Sequence, residues 1–383
     1  MKTVGIICEY NPLHMGHVKQ FRMIREQLGS DTAILCLMSG NFVQRGAPAI
    51  MDKSLRAKTA VLSGADLVLE LPVIYALSSA EGFAAGGVKI LSHVCDYLCF
   101  GSETGDAATL MATARALLSE EFSPLLRAEL DVGKSFPAAR EAALERMGID
   151  ADILSRPNDI LAVEYCKAIL AQNSPLQPLP IRREGSYHAQ EAELENPSAT
   201  AVRSLMLDGR NWTGFVPVPS LVENVPLHCT AAGERAILAK LRTMTDAEFE
   251  ALPYGSEGLW RKFMHACRSC ATLEEVIAAT KSKRYTRTRI DRMIMCAFLG
   301  ITEEMMNTPA PYTRVLAFND TGRSVLKQMK TSTLCINAGE AIEHAYWDLE
   351  KSSGDLYGLF RNDRIDAPGV EEKRRVYYHR EAT

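Results

Sequence analysis

The chain has 383 residues, 47% of them hydrophobic and 23% charged, with a net charge of −4. That length is too great for one ordinary core and predicts two or three domains. No apolar run approaches the ~20 residues of a membrane span, and the start MKTVGIICEYNP lacks the basic-then-apolar layout of a secretory signal, so a cytoplasmic protein is expected. The ten cysteines are scattered and read as reduced thiols. Cys267 and Cys270 form a single CxxC with no second pair at zinc-finger spacing, which favours core thiols over a metal site.

From the start, short β-rich runs at Val4 to Ile7, Ala33 to Met38, Asp66 to Leu71 and Tyr97 to Phe100 are separated by amphipathic stretches. This alternation predicts a parallel sheet covered by helices, with ligands bound at the carboxyl ends of its strands. The first of those ends is Ile7-Cys8-Glu9-Tyr10-Asn11-Pro12-Leu13-His14-Met15-Gly16-His17-Val18-Lys19-Gln20, which runs into a helix through Phe21, Ile24 and Leu28. Pro12 is expected to keep the loop extended before the helix. Gly16 lets a ligand approach the backbone, and the helix start offers unpaired N–H groups and a positive dipole end to phosphate. His14 and His17, three residues apart, can face one anion. Taken singly, either histidine could instead cap the helix or pack beneath it.

A second segment, Asn196-Pro197-Ser198-Ala199-Thr200-Ala201-Val202-Arg203-Ser204, places hydroxyls at a helix start just before an arginine. Hydroxyls and the helix N-terminus suit phosphate oxygens, and Arg203 adds charge. By itself it also reads as an N-cap with a surface arginine. Together, HxGH and this segment resemble the two signatures of the HxGH nucleotidyltransferases, the second written ISSTxxR, from which this copy departs at its first residues.

The loops between the runs carry a denser set of strings: Ser39 to Ala49 (SGNFVQRGAPA), Lys53 and Arg56, Gly64 to Pro72 (GADLVLELP), Gly101 to Asp106 (GSETGD), Pro157-Asn158-Asp159 and Arg183 to His188 (REGSYH). Together they resemble the tRNA(Met) cytidine acetate ligase family, from the N-terminus to roughly residue 330. The resemblance implies an α/β fold with an N-terminal Rossmann-like nucleotidyltransferase domain built on a parallel sheet, and the irregular connection at Val216-Pro217-Val218-Pro219 and Pro226 sets its boundary near residue 210, giving residues 1–210. A mostly helical C-terminal region with a small α/β element, residues 211–383, would follow and bind tRNA.

The activity so implied forms acetyl-adenylate from ATP and acetate and passes the acetyl group to N4 of the wobble cytidine of elongator tRNA(Met). The implied ATP site comprises Ile7 to Gln20 with Gly101, Asn158 and Arg183. Arg182 precedes Arg183 but falls outside the RxGxxYH register. His14, His17 and Arg203 would stabilise charge at the phosphates. Magnesium is expected with the triphosphate, although the acidic residues show no distinctive ligand spacing.

A net charge of −4 gives no global attraction to RNA, so any binding face has to be local. The sharpest candidate is Lys281, Lys283, Arg284, Arg287, Arg289 and Arg292, interrupted by one acid, Asp291, with Tyr285 available to stack on a base. The same stretch also reads as a solvated helix start, because Ile290, Ile294 and Ala297 follow at core spacing. The basic tail Lys373 to Arg380 is a weaker candidate. Residues 231–308 read as mostly helical, with Leu238, Leu241, Phe263, Ile277, Ile294 and Phe298 inside, and strands are expected at Arg314 to Phe318 and Thr333 to Asn337. Two other classes of function fit the first domain: a small-molecule adenylyl- or cytidylyltransferase, and a noncatalytic protein that binds ATP and RNA. The long C-terminal region weighs against the former, the intact histidine pair against the latter.

Overall fold

The short β-rich runs read from the sequence are extended and largely buried in the interior, as expected. In the computed structural model, which describes residues 1–182, 197–329 and 334–380, they form β1 (Thr3–Cys8), β2 (Ala33–Ser39), β5 (Leu67–Leu71) and β6 (Tyr97–Ser102); β3 (Phe42–Val43) and β4 (Ala47–Pro48) between β2 and β5, and the mostly half-buried β7 (Gln177–Arg182), are strands that the sequence reading did not include. Later strands are β8 (Thr313–Phe318), β9 (Leu334–Cys335) and β10 (Tyr377–Tyr378). The main sheet runs in the order β10-β8-β5-β2-β1-β6-β7, with β9 on β8; β3 and β4 make a separate antiparallel hairpin. Every pairing in the main sheet is parallel except β5 with β8.

The strands expected in the C-terminal region therefore join the N-terminal sheet and build no separate one. The cause lies at the edge of β5, where a fully buried Leu67-Val68-Leu69 run would leave its N–H and C=O groups open. β8 covers that edge, pairing Leu67 with Phe318 and Val68 with Ala317. Asp66, expected to start β5, lies just outside it: its carboxylate accepts from Ile34 N (2.7 Å), Arg25 Nη2 (2.8 Å) and Asn319 Nδ2 (2.9 Å).

One sheet face packs Ile7, Leu35, Leu37 and Leu69 against Phe83, Leu110 and Val163. The other packs Val4, Ile6, Ile34 and Cys36 against α1 (Met15–Leu28) and α2 (Lys53–Leu62) through Phe21, Ile24 and Ala57. A second core fills the helical region, and it contains all six interior positions read from the sequence there. Its helices start where hydroxyl caps sit: Thr245 with Glu248 and Thr272 with Glu275 form capping boxes.

Where the C-terminal segments meet α2 and β5, a cluster of charges is buried. Lys53 is 2% exposed, with its ammonium 2.7 Å from both Glu70 oxygens and 3.1 Å from Glu371 Oε2. Arg314 pairs with Glu350 at 2.9 Å, and Arg374 pairs with Asp52 at 2.8 Å and Glu371 at 2.9 Å. The basic tail is thus tied into the fold through Arg374 and β10. Burial pushes the Glu70 carboxyl up to about 7; Lys53 opposes this, and the Glu350 and Glu371 carboxylates add to it.

A carboxyl raised in the fold binds more proton there than in the unfolded chain. Its contribution to stability is full below the ordinary value of 4.5 and is lost as pH rises through about 7. Glu70→Gln should accordingly gain stability relative to the wild type as the pH of denaturant unfolding is raised from about 5 to about 8. A difference that stays flat over this range would show that Glu70 is ionised throughout.

Candidate active site

The carboxyl ends of β1, β6 and β7, the first turns of α1, and the start of the helix Ala199–Leu207 converge on one cleft of about 420 Å3. At its centre the chain leaves β1 through Tyr10, with φ of 44°, and a cis Asn11-Pro12 peptide. The loop around Pro12 is therefore a turn, where an extended approach is expected, and it brings His14 to the N-cap of α1. His14 N–H donates to His17 Nδ1 at 3.1 Å, which leaves Nε2 to carry the proton of a neutral His17 ring. The two imidazoles stack with centroids 3.7 Å apart, and the Tyr10 ring meets His17 edge-on at 4.9 Å. Both histidines line the cleft at the N-terminal, positive-dipole end of α1.

Gly16 has a more specific role than backbone access. A Cβ there would lie 3.1 Å from His14 Cε1 and Nδ1, so glycine makes room for the imidazole.

Arg203 joins the two signatures physically. Its guanidinium donates to the Asn11 carbonyl at 2.6 Å and to Thr200 Oγ1 at 3.0 Å, and Ser198 caps the same helix by accepting from Ala201 N at 3.1 Å. Pro197, Ser198, Ala199, Thr200 and Arg203 all line the cleft. Of the residues expected at ATP, the cleft is also lined by Ile7, Cys8, Glu9, Tyr10, Asn11, Gly16, Lys19, Gln20, Gly101 and Asn158, while Pro12, Leu13, Met15 and Val18 are not among its lining. Arg183 and the string to His188 lie outside the described residues. Arg182, set aside by register, lines the cleft at the end of β7.

Two positioning residues have roles that no pattern in the sequence gives away. Arg56, 1% exposed, donates to the carbonyls of Met51 (2.9 Å) and Ser39 (3.2 Å) and also to those of Glu9 and Gly40, tying the ends of β1 and β2 together. Asp159, fully buried, accepts from Thr104 Oγ1 (2.7 Å) and from Ser102, while Glu103 takes Asn158 Nδ2 at 2.6 Å. These bonds fix Gly101 and Asn158 on the β6 side. Both residues occur in the strings that carry the family resemblance, but a buried arginine or aspartate has no periodicity to give it away.

The basic stretch divides in two. Lys281 and Lys283 are exposed; Arg284 pairs with Glu257 at 2.5 Å and Arg287 with Glu274 at 2.7 Å. Arg289 donates to the Tyr254 carbonyl at 2.7 Å, and Arg292 lies over the Tyr254 ring at 5.2 Å. Tyr285 is buried, with its hydroxyl on the Glu257 carbonyl, so it is no stacking platform. The helix Arg287–Leu299 does bury Ile290, Ile294 and Ala297. Cys267 is likewise a core residue, its thiol pushed up to about 12 by burial.

Gly16→Ala puts a good helix former in the first turn, so the fold should tolerate it, while the displaced His14 ring should cost about tenfold or more in nucleotide turnover. Thermal unfolding and turnover measured on the same sample check this. Unchanged turnover would show that the ring position is immaterial.

The HIGH Nucleotidyl Transferase family model matches residues 1–369. The tRNA(Met) cytidine acetate ligase of Clostridium acetobutylicum is 38% identical over 87% of this chain and 89% of its own length; that of Alkaliphilus metalliredigens is 34% identical over the whole of both. Among solved structures, Thermotoga maritima TmcAL in its apo form superposes with a TM-score of 0.91 at 28% identity, and its complex with alpha-thio ATP with 0.89 at 29%, each covering both chains completely. With HxGH and its partner arginine meeting in one cleft on a mostly parallel sheet, the chain belongs to the tRNA(Met) cytidine acetate ligase family of HIGH nucleotidyl transferases.

Proposed function

We propose that the chain is an ATP-dependent ligase that activates acetate as acetyl-adenylate and transfers the acetyl group to N4 of the wobble cytidine of elongator tRNA(Met), in the cytoplasm. The observation that carries the reading is the stacked His14–His17 pair at the start of α1, faced by Arg203 across one cleft. Displacement at a phosphate needs charge stabilisation more than covalent help. In this reading adenosine lies along Gly101, Asn158 and Arg182, with Arg183 as a further contact, and the triphosphate lies over Ile7 to Gln20. His14, His17 and Arg203 take up the charge that builds on the departing pyrophosphate.

Magnesium enters with the nucleotide. Among the described residues no group of three or more His, Cys, Asp or Glu is placed to cage a cation, and Glu9, the only carboxylate among the described lining residues, accepts from Gln44 N at 2.8 Å. This fits an ion held by phosphate oxygens and water. The second step requires positioning of the cytosine amine against an activated acyl group, and no strong base.

Residues 1–210 would supply the chemistry and 211–383 the grip on tRNA, within a sheet that draws strands from both. Of the basic stretch, Lys281 and Lys283 are the better RNA ligands, since Arg284 and Arg287 already face carboxylates. Replacing both lysines with alanine should weaken tRNA binding and lower the slope of log affinity against log salt by about 0.7–0.9 for each phosphate no longer neutralised. An unchanged slope would move the RNA face elsewhere.

The direct test is incorporation of labelled acetate into elongator tRNA(Met) with ATP and magnesium. Acetylated cytidine and AMP are expected, and His14→Ala or His17→Ala should lower the rate about 100-fold or more with the fold retained. Pyrophosphate release onto another small acceptor, with no label in the tRNA, would make the protein a plain nucleotidyltransferase.

A further inference from the structure

Between the sheet and the helical region sits the β3–β4 hairpin, whose residues Val43, Gln44, Arg45, Ala47 and Pro48 form one wall of the cleft. Strand order places that wall. β1 is flanked by β6 and β7 on one side, where Gly101, Asn158 and Arg182 line the cleft, and by β2 on the other, from whose end the hairpin springs. If adenosine occupies the β6–β7 side, the reactant that meets the α-phosphate has the hairpin side left to it. Of the lysines and arginines among the described lining residues, Lys19 comes from α1, Arg182 from β7 and Arg203 from the helix Ala199–Leu207. Arg45 is the one contributed by the β2 side.

We infer that Arg45 binds the carboxylate of acetate, with Val43, Ala47 and Pro48 as the apolar surface for its methyl group. A planar guanidinium matches a carboxylate bidentately, which both lowers the cost of placing two anions in one cleft and aims one carboxylate oxygen. The inference rests on the proposed ligase reaction. In that step an acetate oxygen forms a bond to the α-phosphorus while the bond to the β-bridging oxygen breaks. The electron pair leaves with pyrophosphate, and no proton is transferred. The amine of cytidine then forms the new bond to the acetyl carbon, AMP departs with the C–O electron pair, and the amine gives up one proton to water.

An aimed side chain needs a fixed backbone, and the hairpin is clamped on three flanks. Phe42, 1% exposed, packs edge-on against Tyr357 (6.0 Å) and Phe360 (5.9 Å) in the helical core. Gly46, with φ of 75°, lies so close to the helix Arg287–Leu299 that a Cβ would come within 2.3 Å of Arg292 N and the Asp291 carbonyl carbon. Gln44 N donates to Glu9 at 2.8 Å, while its carbonyl lies 3.5 Å from Arg292 Nη1. Arg45 itself is exposed at the cleft mouth, so its replacement leaves these clamps in place.

The test is acetate-dependent exchange of pyrophosphate into ATP by the full chain, comparing wild type, Arg45→Ala and Arg45→Lys, with tRNA acetylation measured alongside. For Arg45→Ala the KM for acetate should rise about tenfold or more while the KM for ATP stays within about twofold, and Arg45→Lys should recover part of the loss. An unchanged KM for acetate overturns the assignment, as does a loss confined to the KM for tRNA, which would make Arg45 an RNA ligand. Failure of the wild type itself to exchange with acetate would count against the ligase reading, a separate outcome.

Discussion

The site depends on one buried guanidinium. Arg56 reaches from α2 into the crossing of β1 and β2 and donates to four main-chain carbonyls, those of Glu9, Ser39, Gly40 and Met51. Strand ends are where backbone acceptors run out of ladder partners, and each carbonyl left unpaired in the interior would cost about 1–3 kcal/mol. Five donors in a rigid plane satisfy such a set, whereas the single ammonium of lysine does not. Burial pushes the Arg56 pKa down, with Asp52 and Glu9 among the acidic groups that oppose it. With that junction held, the loop carrying Tyr10, Asn11 and His14 has a fixed origin, and Arg203 closes it from the far side through the Asn11 carbonyl.

The anchor of Arg56 depends in turn on the end of the chain. Asp52 caps α2 by accepting from Ser54 N at 2.8 Å, and Arg374 pairs with the same carboxylate. Lys53, the next residue, is enclosed by Glu70, Glu350 and Glu371, drawn from β5, the helix Tyr346–Tyr357 and the short helix Val370–Lys373. Buried ion pairs of this kind are weak evidence for net stability, since desolvation offsets most of the attraction. What they supply is register. Segments more than 300 residues apart in sequence (Asp52 and Arg374) can close on α2 only where every charge finds its partner.

The sequence makes legible those features that repeat or that sit at a punctuation mark. Short apolar runs give β1, β2, β5 and β6, helical spacing gives the interior of the C-terminal region, and HxGH at a strand-to-helix junction marks the cleft. Features that depend on tertiary closure are hidden. Arg56 and Asp159 look like surface charges until a fold encloses them; Tyr285 looks like a base-stacking platform until Glu257 is seen at its hydroxyl. The cis turn at Pro12 is invisible because one proline serves either isomer. β8 reads correctly as a strand, yet its place beside β5 follows from an open sheet edge that no local pattern reports.

Position, more than charge, governs how such a cleft could serve two reactions in succession. A net charge of −4 repels a polyanion at long range, while the described lining residues bring together Lys19, Arg45, Arg182 and Arg203 against the single carboxylate of Glu9. A field of one sign in a concave site is focused by its low-dielectric walls, so a locally cationic cleft can hold anions on an acidic protein. The β3–β4 hairpin lies between this cleft and the helix Arg287–Leu299, and touches both through Glu9 and Gly46. The wall proposed to orient the acetate is therefore fixed by the helical region as well as by the cleft.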